Sequence, residues 1–498
     1  MYKNLINGRL VEGKGKEFTV YNPENGKAIA SLNGLNQEQT EEVLNAANDA
    51  FKTWSQLSLN EREKYILKFA DVIESHKDKI VELLIEESGK TYGNACEDYH
   101  MLPDCLRYYI AEARAAKDEI IPDYDNKHIN MIIKKPLGVV VGYLAWNFPL
   151  LNVGYKLGPI LASGCTCIIK PSSQTPLSTL YIGELAIEAG IPAGVINIVT
   201  GDDNVVGTIL NESKIPQMIT LIGSSFTGRK IMQQAATSIK HYSLELGGSA
   251  PVIIAKDADV EKAATCVVNG KTGNAGQVCV APNRIFVHKD IKERFLEKAT
   301  DMLSDIAYGS GKYEAPGIHM QPMSSMKAVE NMESLVKDAV EKGAVLVCGG
   351  KRLDREGYFF EPTILTGITK DMRVYKEEIF GPIIAISDMD DSDDLAVLAN
   401  DTEYGLAAYL YTSSLDMGLS LSRKIDAGDV CVNEPCFCYN LPHGGCKQSG
   451  IGKDCSTFSL DEYYYIQRIS IALRKTREKE RYEKKTKYYI YYDRSAKI

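Results

Sequence analysis

The chain has 498 residues, of which 44% are hydrophobic and 25% are charged, and its formal net charge at pH 7 is −9. This length suggests two or three domains with large cores, and the mild acidity argues against a general nucleic-acid-binding protein. We find neither a secretory leader nor a run of about 18 uncharged apolar residues. We therefore expect a cytoplasmic protein with no nucleic-acid or membrane partner.

Helical spacing of apolar residues predicts that the first 120 residues are mainly helical, with helices at 37–55 and 61–88. Ser58 and Glu61 have the spacing of a capping box at the start of the second helix. From about residue 137, short apolar runs alternate with helical segments, which is typical of a parallel sheet with crossover helices.

A second alternating region covers about 250–427. We therefore predict the α/β class, with a Rossmann-like parallel-sheet domain followed by a second α/β domain. Such sheets bind ligands at the carboxyl ends of their strands. The predicted strands are 138–145, 166–170, 195–199, 218–222, 251–254, 284–287, 344–348 and 383–387, and the predicted later helices are 150–162, 178–189, 227–237, 290–306 and 324–342.

Two strand ends carry groups suited to a dinucleotide. Gly223 and Ser224 follow one strand and open a helix, where backbone N–H groups and a hydroxyl can bind a pyrophosphate, although a plain strand–helix turn is the alternative. Lys170 ends another strand and could contact ribose or phosphate, unless it is an ordinary surface lysine. The G-x-G-x-x-G fingerprint is absent, and 270–272 is not a P-loop because position 265 is threonine.

Cys279 stands out among the 12 cysteines because Gly273 and Gly276 precede it, which suggests a tight loop with accessible backbone. A thiolate there could attack a carbonyl carbon. Glu245 ends an apolar strand, where a carboxylate is costly unless it deprotonates a water or a thiol. The amide of Asn147, with the backbone N–H of Cys279, could donate to the oxyanion formed by attack on an aldehyde. Hydride loss would leave a thioester, which water activated by Glu245 would hydrolyse.

Five further cysteines crowd one region: Cys431, Cys436, Cys438, Cys446 and Cys455. Their gaps are irregular, unlike the paired ligands of a zinc site. In a long chain without a leader, reduced thiols are expected rather than disulfides. We therefore expect free, solvent-shielded thiols here and no metal site.

These features belong to a set of short motifs that resembles the aldehyde dehydrogenase superfamily over nearly the whole chain. Seven motifs occur in the family's order and at family-like spacing, which is far more specific than any one of them. The motifs are 146–149, 170–172, 223–228, 245–248, 276–279, 377–382 and 444–450.

The resemblance implies a role for each matching position. Cys279 would be the nucleophile, Glu245 the general base and Asn147 the oxyanion donor. NAD or NADP would be held by Lys170 and Ser173 at the adenosine ribose, Gly223 and Ser224 at the pyrophosphate, and Trp146, Glu378 and Phe380 near the nicotinamide. Behind the base and around the aldehyde, the supporting and pocket residues would be Lys156, Asp454, Asn152, Tyr155, Val278, Val280, Phe437 and His443.

The family also implies an architecture. Residues 1–122 and 141–246 would form the cofactor domain, 247–464 the catalytic domain, and 123–140 with 465–498 a small β oligomerisation element. Homodimers or homotetramers are usual in the family. The basic tail from residue 474 could bind nucleic acid or an anionic membrane, but a solvated helix or an arm at a subunit interface is favoured.

Two departures from the family pattern concern the substrate. The segments 170–176 and 190–201 resemble the succinate-semialdehyde branch, which usually has arginine where this chain has Tyr155. A carboxylate substrate would lose that partner, so a semialdehyde is not favoured. In addition, His443 replaces a common phenylalanine at the pocket mouth.

Two alternative functions are disfavoured by the same residues. A CoA-acylating semialdehyde dehydrogenase does not need a hydrolytic glutamate at Glu245. A catalytically silent dinucleotide-binding or structural protein has no need for intact Cys279, Glu245 and Asn147.

Cofactor preference can be tested at Ser173, where many NAD-preferring members of the family carry glutamate. That carboxylate accepts the adenosine 2′-hydroxyl and repels a 2′-phosphate, so serine should permit NADP. We expect Ser173→Glu to lower kcat/KM for NADP by about tenfold or more, since two like charges a few Å apart near a protein surface repel by roughly 1–4 kcal/mol. The value for NAD should change much less. Equal losses with both cofactors in steady-state assays would contradict this.

Overall fold

In the computed structural model, residues 2–311 and 318–473 are described. The basic tail, 474–498, lies outside them, and the hypotheses about it stay predictions. The chain forms two compact units: Met1–Arg114 with Leu137–Tyr463, and Ala115–Pro136 with Tyr464–Ile498. The three-domain division expected from the family resemblance also stays a prediction.

Strands and helices alternate along most of the chain. The strands are β1 (Asn4–Ile6), β2 (Arg9–Val11), β3 (Glu17–Tyr21), β4 (Ala28–Asn33), β5 (Glu119–Ile121), β6 (His128–Pro136), β7 (Val139–Tyr143), β8 (Thr166–Lys170), β9 (Ile196–Ile198), β10 (Pro216–Ile222), β11 (His241–Glu245), β12 (Ala250–Ile254), β13 (Pro282–His288), β14 (Ile306–Tyr308), β15 (Ile318–Met320), β16 (Val345–Cys348), β17 (Thr363–Thr366), β18 (Ile383–Met389), β19 (Ala407–Tyr411), β20 (Asp429–Val432), β21 (Gly450–Ile451) and β22 (Tyr464–Ala472). The helices are α1 (Gln37–Trp54), α2 (Leu59–Ser75), α3 (Lys77–Ser88), α4 (Tyr92–Ala115), α5 (Pro149–Ser163), α6 (Leu177–Glu188), α7 (Thr208–Glu212), α8 (Ser225–Ala235), α9 (Val260–Thr272), α10 (Lys292–Leu303), α11 (Met326–Glu341), α12 (Arg373–Lys376), α13 (Leu395–Asn400), α14 (Leu415–Ser422) and α15 (Ser456–Asp461).

The first sheet of the larger unit has eight strands in the order β2-β1-β9-β8-β7-β10-β11-β21. The pairings from β9 across to β11 are parallel, as predicted, and the outer pairings are antiparallel. Helices α5, α6 and α8 each connect two of the parallel strands. Because parallel strands point the same way, the carboxyl ends of β7, β8, β10 and β11 lie at one edge of the sheet.

The second sheet has seven strands in the order β16-β17-β18-β13-β12-β19-β20, all parallel except β16. It is covered by helices on both faces. On β12, Val252 and Ile254 join a core with α9 and α10, whereas Ile253 joins the opposite core with α11. This alternation is what a strand buried on both sides requires, and the two sheets confirm the predicted α/β class.

The prediction that the first 120 residues are mainly helical is wrong for the segment before α1. That segment forms two hairpins, β1–β2 and β3–β4. The turn of the first contains Asn7 at φ 50° and Gly8 at φ 70°, an Asn-Gly pair of the kind that favours tight hairpins. These strands are three to six residues long, too short for a clear alternation of apolar residues.

The predicted helix at 61–88 consists of two helices, α2 and α3, which meet at His76. The backbone of His76 has φ −107° and ψ 17°, outside the helical range. The capping box is confirmed, because the Ser58 side chain accepts from the Glu61 N–H and the Glu61 carboxylate accepts from the Ser58 N–H at 2.8 Å.

The smaller unit is a three-stranded antiparallel sheet in the order β22-β6-β5. Strands β6 and β22 pair in register from Tyr464 opposite Pro136 to Ala472 opposite His128. Several large apolar side chains of this unit are exposed: Ile120, Ile121, Tyr124, Ile466 and Ile471.

Gly450 fixes the edge strand β21 against the end of β11. Its φ is +143°, and a Cβ at this position would meet the Leu244 carbonyl. We expect Gly450→Ala to lower the free energy of unfolding by about 1–3 kcal/mol, because the strand must move or the backbone must strain. Thermal unfolding checks this. Gly93→Ala is the matched control, since its new Cβ would meet no atom within 4 Å. Equal midpoints for the two variants would contradict the expectation.

Candidate active site

The carboxyl edge of the first sheet supplies one half of the candidate site. Trp146 and Asn147 follow β7, Gly223 and Ser224 follow β10, and Glu245 ends β11. Because β7, β10 and β11 are adjacent and parallel, these groups lie together at one edge.

Segments of the second sheet supply the other half. Cys279 lies in the loop before β13, Glu378 lies between α12 and β18, and His443 lies in the loop after β20. Both halves line one cavity of about 920 Å³. The predicted site residues that line it are Trp146, Asn147, Asn152, Tyr155, Gly223, Ser224, Glu245, Val278, Cys279, Val280, Glu378, Phe380, Phe437, His443 and Asp454.

A second cavity of about 690 Å³ adjoins the first and shares Trp146, Gly223 and Ser224 with it. It contains the other two predicted cofactor residues, Lys170 and Ser173. The two cavities therefore form a cleft with Cys279 in its first part and the exposed Ser173 in its second.

The second cavity carries groups that suit phosphates. Ser224 is the N-cap of α8, and its hydroxyl accepts from the Thr227 N–H at 3.2 Å, so the helix starts at the cavity wall. Lys170 is not an ordinary surface lysine, because its side chain is 7% exposed and its Nζ lies 2.5 Å from Asp203 Oδ1. Lys16 and Lys230 also line this cavity. The donor set fits the phosphate-bearing half of NAD or NADP.

Cys279 follows a turn with three successive left-handed residues: Asn274 at φ 49°, Ala275 at φ 54° and Gly276 at φ 69°. Glycine adopts this conformation freely and asparagine tolerates it, but for Ala275 it costs roughly 1–2 kcal/mol. The Asn274 amide offsets this cost by donating to the Gln277 carbonyl at 3.1 Å and to the Asn147 carbonyl at 3.2 Å. The turn is therefore tied directly to the segment after β7.

A buried polar network holds Asn274 from behind. Its Oδ1 accepts from Lys90 Nζ at 2.9 Å and from Gln321 Nε2 at 2.8 Å. Lys90 also lies 3.7 Å from Asp98, whose Oδ1 accepts from the first-turn N–H groups of α5. Burial lowers the pKa of Lys90 to about 8 and raises that of Asp98 to about 6. The network thus joins α4, α5 and the loop that carries Cys279.

The side chain of Asn147 is bound to the same loop. Its Nδ2 donates to the Gln277 carbonyl at 3.1 Å, and the residue is only 7% exposed. An amide nitrogen carries two hydrogens, so one can serve this bond and the other can serve an oxygen in the cavity. This bond holds the amide against the loop that carries Cys279, because Gln277 lies two residues before Cys279.

Cys279, Glu245 and His443 form a cluster at the bottom of the first cavity. The thiol sulfur, one carboxylate oxygen and one ring nitrogen all lie within 4.8 Å of one another. Burial, followed by the neighbouring carboxylate of Glu245, raises the pKa of the Cys279 thiol to about 12. Glu245 is 5% exposed, and its Oε1 has no hydrogen-bond partner among the described residues. A carboxylate oxygen left in this way can accept a proton from a bound molecule.

Lys156 and Asp454 lie beside this cluster as a buried ion pair. Lys156 Nζ lies 2.6 and 2.7 Å from the two carboxylate oxygens of Asp454. The backbone of Asp454 exchanges hydrogen bonds with that of His443, at 2.8 and 2.7 Å. The pair therefore fixes the segment that carries His443, although Lys156 itself does not line the cavity.

Glu378 lines the first cavity together with Cys279. Its Oε1 accepts from the Gly248 N–H at 2.9 Å, and burial raises its pKa to about 7. Fully buried Lys271 donates to the Ile379 carbonyl at 3.0 Å, next in sequence to Glu378. Burial lowers the pKa of Lys271 to about 7, and Glu378 opposes that change. Nearby, the rings of Trp146 and Phe380 contact edge to face at 5.5 Å.

The part of the first cavity around Tyr155, Phe437 and His443 is lined by aromatic and acidic side chains. Phe437 and Tyr155 lie with ring centres 6.0 and 6.4 Å from that of His443. The Asn152 amide donates to the Ala145 carbonyl at 3.1 Å, so it braces the wall. Within the described part of the chain, neither lysine nor arginine lines this cavity.

The prediction that the clustered cysteines are shielded from solvent is wrong for Cys436, Cys438 and Cys446, which are exposed. Cys431 and Cys455 are buried. The error arises because 433–448 is mostly loop, where a cysteine need not face the core.

Several residues of the site were not predicted from the sequence: Lys90, Asp98, Lys271, Asn274, Gln321 and Asp429. Most lie far in sequence from the groups they contact, and a lone lysine or aspartate in a helix usually indicates a solvated face. Asn274 carried a local indication, because asparagine before Ala-Gly is among the few residues that tolerate a left-handed turn.

A search of the described helices found none that is both long and apolar enough to span a lipid bilayer.

Comparisons with known proteins identify the family of the chain. The model of the aldehyde dehydrogenase family matches residues 10–469. The succinate-semialdehyde dehydrogenase (NADP(+)) GabD of Escherichia coli strain K12 is 37% identical over 471 residues, covering 94% of this chain and 97% of that protein.

Solved structures agree as well. An NADP-dependent enzyme of E. coli superposes with a TM-score of 0.92 at 36% identity, covering 95% of this chain and 98% of that one. The NAD+ complex of an aldehyde dehydrogenase from Bacillus cereus gives 0.91 at 35% identity, covering 95% and 97%. The chain therefore belongs to the aldehyde dehydrogenase family and is an NAD(P)-dependent enzyme that oxidises an aldehyde.

Proposed function

We propose that Cys279 is the nucleophile that attacks the aldehyde and that the acid is released by hydrolysis. The observation that carries this proposal is the convergence of Cys279, Glu245 and Asn147 on one cavity that continues into the cofactor cleft. A thiol, a carboxylate with an unsatisfied oxygen and an amide donor are the groups that thioester chemistry needs.

The residues act in sequence. The Cys279 thiolate attacks the carbonyl carbon, and the Asn147 amide and Cys279 N–H donate to the oxyanion of the thiohemiacetal. When bound, NAD or NADP accepts the hydride that this carbon loses. Glu245 then takes a proton from a water, which attacks the thioester, and the C–S bond breaks to release the acid.

The remaining predicted residues would place the cofactor. Ser224 and the start of α8 suit the pyrophosphate, and Lys170 suits the adenosine ribose. Glu378 and Phe380 line the part of the cleft next to Cys279, where the nicotinamide ribose and ring would lie. Lys16, Lys170 and Lys230 share the second cavity with Ser173, although Glu17, Asp202 and Asp203 line it too. Serine at position 173 places no carboxylate against a 2′-phosphate, which supports use of NADP.

Glu245 also separates this function from its alternatives. A CoA-acylating enzyme would have no need to hold a buried carboxylate beside the nucleophile. A silent binding protein would gain nothing from placing a buried carboxylate beside a thiol.

We further propose a homo-oligomer in a reducing compartment such as the cytoplasm. The exposed apolar side chains of the smaller unit, including Ile120 and Tyr124, support a subunit interface there. All 12 cysteines are unpaired, as is usual for proteins in reducing compartments.

The central proposal is tested by Cys279→Ser. We expect kcat/KM to fall by roughly a thousandfold or more for every aldehyde, because serine is a far weaker nucleophile without a strong base. Cys446→Ser is the matched control, since this exposed thiol lines neither cavity. Undiminished turnover in Cys279→Ser, or no turnover of any aldehyde by the wild type, would refute the proposal.

Substrate charge is tested by Tyr155→Arg. Without a basic residue on the cavity wall, the wild type should prefer an uncharged aldehyde over succinate semialdehyde of similar length. The new arginine should shift the ratio of the two kcat/KM values toward the semialdehyde by about tenfold, the effect of one charge-assisted hydrogen bond. Tyr155→Met controls for the lost ring. A wild-type enzyme that already prefers succinate semialdehyde would contradict this reading of the cavity.

A further inference from the structure

His443 and Asp429 form a hydrogen-bonded pair against the nucleophile. His443 Nδ1 lies 2.8 Å from Asp429 Oδ2, and Nε2 lies 3.6 Å from Glu245 Oε1. Each side chain of the pair is 14% exposed. Because the carboxylate of Asp429 accepts from Nδ1–H, the other ring nitrogen is directed toward Cys279 and Glu245.

The backbone keeps this pair in place. Asp429 is the first residue of β20 and pairs with Ala407 of β19. His443 forms an antiparallel bridge with Asp454, which is itself bound to buried Lys156. A histidine fixed on both sides in this way is built for a task that depends on its orientation.

The thiol needs such a partner. Cys279 is half-buried beside the carboxylate of Glu245. Burial, followed by Glu245, raises the pKa of the thiol to about 12 even though His443 is in contact with it, so a base must take its proton at neutral pH. A contact with His443 acts in the opposite direction and lowers the pKa of the thiol. Only the thiolate attacks a carbonyl at a useful rate.

The groups that face His443 favour its charged form. They come from five segments: Asp429, Glu245, Cys279, Tyr155, and Asp454 with Cys455. Burial by itself lowers the pKa of His443, but the contacts with Asp429, Cys279 and Glu245 outweigh it and raise the pKa well above its usual value. These contacts therefore stabilise the imidazolium that forms when the ring takes the proton of the thiol, and only the fraction of rings that is neutral beforehand can take it.

We propose that His443 is the catalytic residue that takes the proton of the Cys279 thiol, and that Asp429 is its positioning residue. This inference rests on the proposed function, in which Cys279 is the nucleophile. It divides the proton transfers between two bases, so that Glu245 is reserved for the hydrolytic water. If Glu245 served both steps, it would first have to release the thiol proton to solvent, and only then could it accept a proton from the hydrolytic water.

The proton balance closes over one turnover. The S–H bond of Cys279 breaks and its proton binds Nε2, leaving a thiolate and an imidazolium. The thiolate forms the C–S bond, and the same carbon then loses hydride to the NAD or NADP that the enzyme uses. Water then adds to the thioester as Glu245 takes its proton. When the C–S bond breaks, the leaving thiolate recovers the proton from His443, and Glu245 releases its proton to solvent.

The test measures thiol reactivity without any aldehyde. Cys279 is alkylated with iodoacetamide from about pH 5 to pH 10 in the full-length protein, and the modified peptide is quantified by mass spectrometry to separate it from the other cysteines. In the wild type, the rate should rise as the His443 ring becomes neutral, below the pH at which the Cys279 thiol would ionise by itself. In His443→Phe the rise should move up by at least about one pH unit, with about tenfold slower alkylation at neutral pH.

Two variants distinguish this role from a structural one. Asp429→Asn should give a smaller shift in the same direction, because the ring stays but loses its charged partner. Glu245→Gln should leave alkylation at neutral pH undiminished, yet with aldehyde and cofactor it should give one rapid equivalent of reduced cofactor and then stop, because the thioester is not hydrolysed. His241→Phe, an exposed histidine on β11, is the matched control and should match the wild type.

Each outcome of the alkylation experiment either supports or overturns the role of His443. An unchanged alkylation profile in both His443→Phe and Asp429→Asn would overturn the inference, and so would loss of alkylation in Glu245→Gln equal to that in His443→Phe. Unfolding midpoints and NADP binding show whether each variant is folded. If His443→Phe does not fold, Asp429→Asn tests the inference in its place. Failure of the proposed function appears separately, as turnover that survives Cys279→Ser.

Discussion

The hydrogen bonds of Asn274 are the constraint on which the site depends. Three successive left-handed residues are needed to bring Cys279 into the cavity, and Ala275 among them is unfavourable in that conformation. The Asn274 side chain donates to two carbonyls and accepts from Lys90 and Gln321, so all of its hydrogen-bonding groups are directed at stabilising this turn. Removing these bonds would leave several buried polar groups unsatisfied at once.

The same network connects segments that belong to the two sheets of the larger unit. Asp98 caps the first turn of α5, which starts directly after the segment of Asn147, and Lys90 links Asp98 to the nucleophile turn. Asn147 and Cys279 are therefore positioned through one set of contacts rather than by two independent loops. Such preorganisation matters because an oxyanion donor misplaced by about 1 Å loses much of its effect.

Burial displaces the pKa values of the acid–base groups in the cavity. Glu378, Cys279 and His443 all have pKa values displaced from their ordinary ranges, and in each case burial acts on the charged form and nearby groups modify the result. With several carboxylates and no lysine or arginine on the described wall of the cavity, a proton taken from the thiol is best held on an imidazole. Under the proposed mechanism, the charge in this cavity would influence both the proton transfers and the kind of aldehyde that enters.

The sequence by itself determined the α/β class, many of the strands and helices after residue 137 and, through the family resemblance, most of the predicted residues that line the cavity. It could do so because apolar periodicity reports which faces are buried and because short motifs mark the strand ends where ligands bind. It did not reveal the hairpins before α1, since their strands are too short to show a pattern. Only the tertiary structure decided that Lys90, Asp98 and Asn274 act together and that Asp429 orients His443. Those contacts join residues separated by up to 184 positions, and no local pattern records a hydrogen bond that exists only once the chain has folded.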